Sequence, residues 1–151
     1  MKEYRIARAN YINDLSGVGA KIYGGRWNPK GYALLYTAEN KSLAALEVLV
    51  HLNRDTPPKE LQIATILIPD KAISNFDEVK FRKILNGKEP NSDFKQLGKE
   101  WIISRSSLGM KIPSVMIPGE YNVILNPGHK LFKNVVIDNV EDFSFDDRLF
   151  K

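Results

Sequence analysis

The segment that most constrains the fold is a largely apolar run at residues 61–68, which lies between Pro58 and Pro69. Its length, its β-branched residues and the flanking prolines are typical of a β-strand. Further strand-like and helix-like segments lie on both sides of it, without strict strand–helix–strand alternation. The expected fold is therefore α+β, with largely antiparallel sheets and peripheral helices, in a single domain over residues 1–151.

The other predicted elements are short. Strands are predicted at residues 4–8, 32–36, 113–117, 121–125 and 131–138. Helices are predicted from a cap at Asn40 to about residue 53, at residues 76–85, and after a cap at Ser92.

The composition excludes several functional classes. The 151 residues include no cysteine, which excludes thiol catalysis, disulfides and thiolate metal sites. His51 and His129 lie far apart without clustered carboxylates, so we expect no metal site. The chain has no apolar run of the roughly 18 residues that suggest a membrane span, and its start lacks the apolar core of a signal peptide. We therefore expect a cytoplasmic protein without a membrane segment.

The charge pattern favours a small anionic substrate or an acidic partner over nucleic acid. The formal net charge is +4, but the basic residues are spread along the chain. A nucleic-acid-binding surface is usually a basic stripe with interleaved aromatic residues, and no such stripe is present. We therefore expect no direct binding to nucleic acid.

A glycine-rich turn at residues 24–26 is the first candidate anion site. Two glycines beside Arg26 allow backbone amides and a guanidinium to approach one anion together. The same pattern also occurs in ordinary turns, and the adjacent Trp27 is equally suited to a hydrophobic core.

The helix that follows carries one carboxylate inside its apolar run. Leu43, Leu46 and Val50 form a helical stripe, and Glu47 lies roughly 40–60° from the middle of that stripe. Glu47 is therefore expected at the border of the core. It either pairs with Arg54 or His51, or it faces a cleft.

Three more side chains are candidates on weaker grounds. Tyr36 ends a predicted strand, where it either belongs to the core or stacks on a heterocycle. Ser114 lacks the sequence context of a serine nucleophile, which leaves a structural role or a hydrogen bond to a ligand. His129 follows Asn126-Pro127-Gly128 and is interpreted as a turn residue.

Five segments, taken together and in order, resemble the RES domain. They are Gly-Arg-Trp-Asn at 25–28, Leu-Tyr-Thr-Ala at 35–38, Ala-Ala-Leu-Glu-Val-Leu-Val-His at 44–51, Pro-Ser-Val at 113–115 and Asn-Val-Ile-Leu-Asn-Pro-Gly-His at 122–129. The arginine, glutamate and serine for which this family is named correspond to Arg26, Glu47 and Ser114. The resemblance extends from about residue 4 to residue 138.

This resemblance implies a function. RES-domain proteins are toxins of type II toxin–antitoxin pairs, and their partner antitoxins carry an Xre-like helix-turn-helix domain. Their fold is similar to that of ADP-ribosyltransferase toxins. Known members consume NAD+ by hydrolysis or phosphorolysis, or transfer ADP-ribose to a protein. NAD+ is then a substrate, and no separate cofactor is expected.

The resemblance also assigns roles to residues. Glu47 would stabilise the oxocarbenium-like transition state, and Arg26 would bind the pyrophosphate. Tyr36 would pack against the nicotinamide or its ribose. Ser114 and Asn126 would orient the dinucleotide by hydrogen bonds.

One assignment and two competing hypotheses remain open. His51, one turn after Glu47, would position that carboxylate or bind the substrate. Alternatively, the protein is a toxin acting on nucleic acid through Glu47 and His51. In a third hypothesis the domain only mediates interactions, and Arg26 and Glu47 form a buried ion pair.

Overall fold

The computed structural model describes residues 1–53 and 55–151. Four helices form in this part of the chain: α1 (Val18–Tyr23), α2 (Lys41–Leu49), α3 (Glu78–Leu85) and α4 (Pro90–Ser104). The strands are β1 (Lys2–Arg8), β2 (Leu35–Ala38), β3 (Leu61–Leu67), β4 (Ile73–Asn75), β5 (Gly109–Pro113), β6 (Tyr121–Leu125) and β7 (Val136–Phe143).

The strands form one seven-stranded sheet in the order β4-β5-β6-β2-β1-β3-β7. Only the β4–β5 pair, at one edge of this sheet, is parallel. The prediction of an α+β fold with a largely antiparallel sheet is therefore confirmed. The run at residues 61–68 becomes β3, which pairs with β1 on one side and with β7 on the other.

Two predicted strand positions were wrong for identifiable reasons, and the strand predicted at 32–36 lies at Leu35–Ala38 instead. The strand predicted at 113–117 ends at Pro113, because the Ser114 hydroxyl accepts hydrogen bonds from the backbone N–H groups of Met116 and Ile117 and folds that segment into a turn. The strand predicted at 131–138 begins only at Val136, because residues 132–134 form a short 3-10 turn.

One face of the sheet, the helical face, is covered by α2, α3 and α4. Side chains alternate along a strand, and in β2 Tyr36 and Ala38 point to this face. Ala38 packs with Leu43 and Ala44 of α2. Tyr36 belongs to a second cluster that includes side chains of α3 and α4. Helix α2 and the pair formed by α3 and α4 therefore cover neighbouring parts of the same sheet face.

The opposite face is covered by loops. Leu35 of β2 packs there with Ile12 from the loop after β1 and with Val135 from the segment before β7. Both faces of the central strands are therefore buried.

A buried carboxylate, Glu3 of β1, lies on this loop-covered face. It is 2% exposed, and the Thr37 hydroxyl approaches it at 3.5 Å. Burial, reinforced by the charge of Glu39, raises the pKa of Glu3 from 4.5 to about 7. The Thr37 hydroxyl, Lys111 and the N-terminal ammonium act in the opposite direction. The folded protein therefore holds this proton more tightly than the unfolded chain does.

We expect the free energy of unfolding to fall as the pH rises from about 4.5 to about 7, and then to level off with respect to Glu3. In this window the unfolded chain ionises first, so folding requires Glu3 to remain protonated. The loss is roughly 3 kcal/mol in total. Urea titrations across this range should show that Glu3→Gln removes the slope and raises stability at neutral pH. The same substitution at the exposed Glu89 is the control, and equal slopes in wild type and Glu3→Gln would contradict the assignment.

Candidate active site

The Arg26 loop connects α1 to the segment that leads into β2. The Gly25 N–H donates to the Asn28 carbonyl at 2.9 Å, which closes the loop on itself. A Cβ added at Gly25 would lie 2.6 Å from the Tyr36 hydroxyl oxygen and 2.9 Å from the Asn28 side-chain oxygen. Glycine at position 25 therefore permits this close approach. Arg26 is exposed at the tip.

The Tyr36 hydroxyl supports the Arg26 loop through two hydrogen bonds. It accepts from the backbone N–H of Trp27 at 3.0 Å and donates to Asn28 Oδ1 at 2.7 Å. Burial raises the pKa of Tyr36 above its ordinary value, while the Trp27 N–H and the charge of Arg26 act against that rise. The phenol therefore stays protonated and supports the loop. The stacking role of its ring remains a prediction.

Asn28 is a site-forming residue to which the sequence assigned no role beyond its place in the segment at 25–28. It is fully buried, and its Nδ2 donates to the carbonyls of Ala20 at 2.8 Å and Tyr32 at 2.9 Å. Together with its bond to Tyr36, it joins α1, the loop and β2. The sequence signal that could have drawn attention to Asn28 is its position directly before Pro29, which restricts its backbone conformation.

Trp27 is a core residue, 1% exposed. Its ring lies 5.0 Å from that of Phe76 and 4.8 Å from that of Phe94, measured between ring centres. The loop is therefore anchored in the core at the residue next to Arg26, which limits how far the Arg26 backbone can move.

Glu47 lies on α2, which begins where Asn40 Oδ1 accepts from the Leu43 N–H at 2.7 Å. The Glu47 side chain is half-buried, and its Oε1 accepts from Nδ2 of Asn122 at 2.9 Å. The alternative pairing with Arg54 concerns a residue outside the described part of the chain. The sequence did not single out Asn122 as a partner of Glu47.

The sheet register places the attachment points of Arg26 and Glu47 close together. Asn122, which holds Glu47, pairs directly with Ala38 in the ladder between β2 and β6. Tyr36, which holds the Arg26 loop, precedes Ala38 by two positions on the same face, a spacing of about 7 Å.

Within residues 1–53 and 55–151, Arg26 and Glu47 form no ion pair with each other, so the hypothesis of a buried Arg26–Glu47 pair is wrong.

Ser114 lies at the same end of the sheet as Asn122. It follows β5, in which Ile112 pairs with Asn122. Ser114 is buried, and its backbone N–H donates to the Glu120 carbonyl at 2.8 Å. Its hydroxyl caps the turn that begins here, and its role toward a ligand remains a prediction.

Asn126 lies away from this cluster. It follows the last residue of β6, four positions beyond Asn122, which corresponds to about 13 Å along the strand. It is buried, donates to the Ile102 carbonyl at 2.9 Å and accepts from the Gly128 N–H at 3.0 Å. It lines a separate open cavity of about 450 Å³ with Lys21 and Arg105. The structure therefore does not bring Asn126 next to Glu47.

The two histidines lie outside the strands, His51 after α2 and His129 after β6. His51 follows the end of α2 and is exposed, with its backbone N–H donating to the Val48 carbonyl at 3.1 Å. His129 lies in a turn, where its Nδ1 accepts from the Leu131 N–H. His129 therefore has the local turn role that its sequence context indicated.

The described residues contain neither a cluster of metal-ligating side chains nor a helix that could cross a membrane. No three His, Cys, Asp or Glu side chains are grouped so that they could hold a metal ion. In the same ranges, 1–53 and 55–151, no helix has the length and apolar character needed to cross a membrane.

Characterised proteins resemble this chain over nearly its whole length. It is 38% identical over 152 residues to "Toxin Res" of Yersinia enterocolitica, with 99% of each chain covered. It is 39% identical over 151 residues to "Toxin Res" of Photorhabdus laumondii, covering 98% of this chain and 96% of that protein. It is also 34% identical over 148 residues to the "Prs ADP-ribosylating toxin" of Sphingobium sp., covering 96% and 92%.

The fold and the family agree with these similarities. A chain in the crystal structure of the M. tuberculosis MbcT-MbcA toxin-antitoxin complex superposes with a TM-score of 0.75 at 18% identity, covering 99% of this chain and 86% of that one. At this identity the likeness concerns the fold alone. Residues 2–146 match the RES domain family. The chain therefore belongs to the RES domain family.

Proposed function

We propose that this protein is the toxin of a toxin–antitoxin pair and that it cleaves the bond between nicotinamide and ribose in NAD+. The observation that carries the proposal is the half-buried Glu47 carboxylate, held by Asn122 on the same sheet face as the support of the Arg26 loop. The name of one relative that is 34% identical, an ADP-ribosylating toxin, supports the same chemistry, and the name of another supports a toxin.

The reaction suits a site with a single carboxylate. Nicotinamide leaves as a neutral molecule, so the general acid that ordinary glycoside hydrolysis requires is unnecessary. The barrier is lowered mainly by negative charge placed opposite the positive charge that develops on the ribose. Glu47 supplies this charge in the proposal.

The remaining roles follow from chemistry and position. Arg26, exposed on an anchored loop, binds the pyrophosphate through its planar guanidinium. Tyr36 supports that loop and offers its ring to the nicotinamide or its ribose. Ser114 contacts the dinucleotide from the end of β5, and His51 assists Glu47 or binds substrate. Asn126 contacts a more distant part of the dinucleotide.

The acceptor decides the overall reaction. Water gives a glycohydrolase, phosphate gives a phosphorylase, and a protein side chain gives an ADP-ribosyltransferase. We propose water or phosphate, with NAD+ as the substrate and no metal or cofactor. Transfer to a protein is the second candidate, and it is favoured by the name of the Sphingobium relative.

The direct test is nicotinamide release by the purified protein. We expect release from NAD+ that persists in a chelator, and a sugar product that is ADP-ribose in buffer or its 1-phosphate when phosphate is present. Absence of release under all conditions would refute the proposed function. Restoration of chelated protein by zinc or magnesium would refute the metal-free mechanism. Cleavage of RNA without nicotinamide release would favour the nucleic-acid-acting alternative.

The partner is proposed to be an antitoxin with an Xre-like helix-turn-helix domain, which contacts α1 and covers the Arg26 loop. Helix α1 buries none of its residues, and Ile22 and Tyr23 are 56% and 79% exposed. Lys21 lies within α1, and Arg26 lies in the loop that follows this helix. An apolar surface beside these cations is complementary to an apolar segment that carries acidic residues.

We expect Ile22→Asp to weaken binding of the antitoxin about 10- to 100-fold, because it places a charge in the apolar part of the interface. Titration calorimetry with the partner encoded beside the toxin gene measures this. Nicotinamide release by the free protein should stay unchanged. The matched control is Val79→Asp, at a 78% exposed position on α3. Equal affinities for both variants would place the interface elsewhere.

A further inference from the structure

The hydrogen bond between Asn122 and Glu47 joins two elements that are 75 residues apart in sequence. We propose that Asn122 is a positioning residue: its amide holds one carboxylate oxygen of Glu47 and leaves the other for the ribose of the substrate. This inference rests on the proposed cleavage of NAD+ and adds a residue to that same site.

The backbone of Asn122 is firmly held. It lies in β6, between β2 and β5, and pairs with Ala38 on one side and Ile112 on the other. Its neighbours on the helical face, Ala38 and Ile112, are both buried. A side chain attached to the middle of a sheet moves less than one on a loop, so Asn122 is a stable point of attachment.

Glu47 needs such a point because it is half-buried and flexible. Its side chain has three rotatable bonds, and the exposed fraction allows rotamers that point into water. The bond from Asn122 Nδ2 to Oε1, 2.9 Å long, selects the rotamer that reaches across the sheet. This alignment exists before the substrate binds, so orienting Glu47 adds no free energy to the activation barrier.

The chemistry of the donor matters as much as its position. An asparagine amide is neutral, so it orients the carboxylate and retains its full negative charge. A lysine or arginine at the same place would orient Glu47 but would offset the charge that must face the developing oxocarbenium. An amide is therefore the donor that satisfies both requirements of the proposed reaction.

The test is a double-mutant cycle that combines Asn122→Ala with Glu47→Gln, measured by steady-state nicotinamide release. We expect Asn122→Ala alone to lower kcat about 10- to 100-fold, the range for a hydrogen bond to a charged group, with little change in KM. In the Glu47→Gln background the same substitution should change kcat less than about threefold, because its effect passes through Glu47. An equal loss in both backgrounds, or wild-type kcat in Asn122→Ala, would overturn the inference.

A second variant and a control separate positioning from folding. Asn122→Asp has nearly the same size but replaces the donor by a second carboxylate that repels Glu47, so it should lose at least as much kcat as Asn122→Ala. A melting curve shows what share of this variant is folded at the assay temperature. Wild-type turnover in folded Asn122→Asp would also overturn the inference. Gln62→Ala, which removes an amide bonded to Asp142 at 3.1 Å on β7, should keep full activity.

The same experiment distinguishes the inference from the proposed function on which it rests. If the wild-type protein releases no nicotinamide, both fail. If the wild type is active and depends on Glu47 but not on Asn122, only the inference fails.

Discussion

Replacement of Glu47 by glutamine is expected to lower kcat for nicotinamide release about 10²- to 10³-fold and to leave NAD+ binding nearly unchanged. Glutamine keeps the shape of the side chain but removes the charge that faces the oxocarbenium-like transition state. The substrate itself carries little of that positive charge at the ribose carbon, so ground-state binding changes less. The measurements are steady-state kinetics and NAD+ titration of the same preparation.

Arg26→Ala provides the contrast to this result. Arg26 is exposed and would contact the pyrophosphate in both the ground state and the transition state. Its loss should therefore mainly raise KM. Both variants should melt near the wild type, because neither removes one partner of a buried ion pair. Folded Glu47→Gln with wild-type turnover would remove Glu47 from the mechanism, and early melting of both variants would favour a structural role.

Replacement of Gly98 by alanine is expected to lower the free energy of unfolding by about 3 kcal/mol or more. Gly98 is a buried residue of α4 that packs against the backbone of Trp27. A Cβ at this position would overlap the Trp27 carbonyl oxygen and lie 2.6 Å from its carbonyl carbon. The neighbouring atoms are backbone, so no rotamer change relieves the overlap and the helix and loop must separate.

The same substitution should affect the site. Trp27 adjoins Arg26, so displacement of its backbone moves the residue proposed to hold the pyrophosphate, and KM for NAD+ should rise. Urea denaturation measures the free energy of unfolding, and nicotinamide release at varied NAD+ concentration measures KM. Gly19→Ala is the control, because a Cβ added there meets nothing within 4 Å. Equal stabilities of the two variants would show that α4 does not pack against the loop as described.

Features that depend on neighbouring residues were predictable from the sequence. The segment at 61–68 becomes β3 because its apolar and β-branched residues are flanked by prolines on both sides. Asn40 caps α2 because the bond to the Leu43 N–H spans only three positions. The expected placement of Glu47 at the border of the core follows from helix geometry, and its half-buried state agrees.

The errors arose where a side-chain hydrogen bond or a distant contact outweighs the strand preference of the residues. Val115 and Ile117 favoured a strand, but they are exposed in the turn that Ser114 holds. Strand β7 contains Asp138, Asn139, Glu141 and Asp142, which have low strand preference. It forms because it pairs along its length with β3 at the edge of the sheet.

The sequence by itself determined the family, the fold class and the identity of Arg26, Glu47 and Ser114 as candidates. Only the tertiary structure decided that Asn122 holds Glu47, that Asn28 and Tyr36 support the Arg26 loop, and that Asn126 lies apart. The physical reason is that these relations depend on the register between β2, β5 and β6 and on the packing of helices over them. Strand register joins residues that are far apart along the chain. The alternation within a strand fixes the face on which a residue lies, but not which residue of another strand lies opposite it.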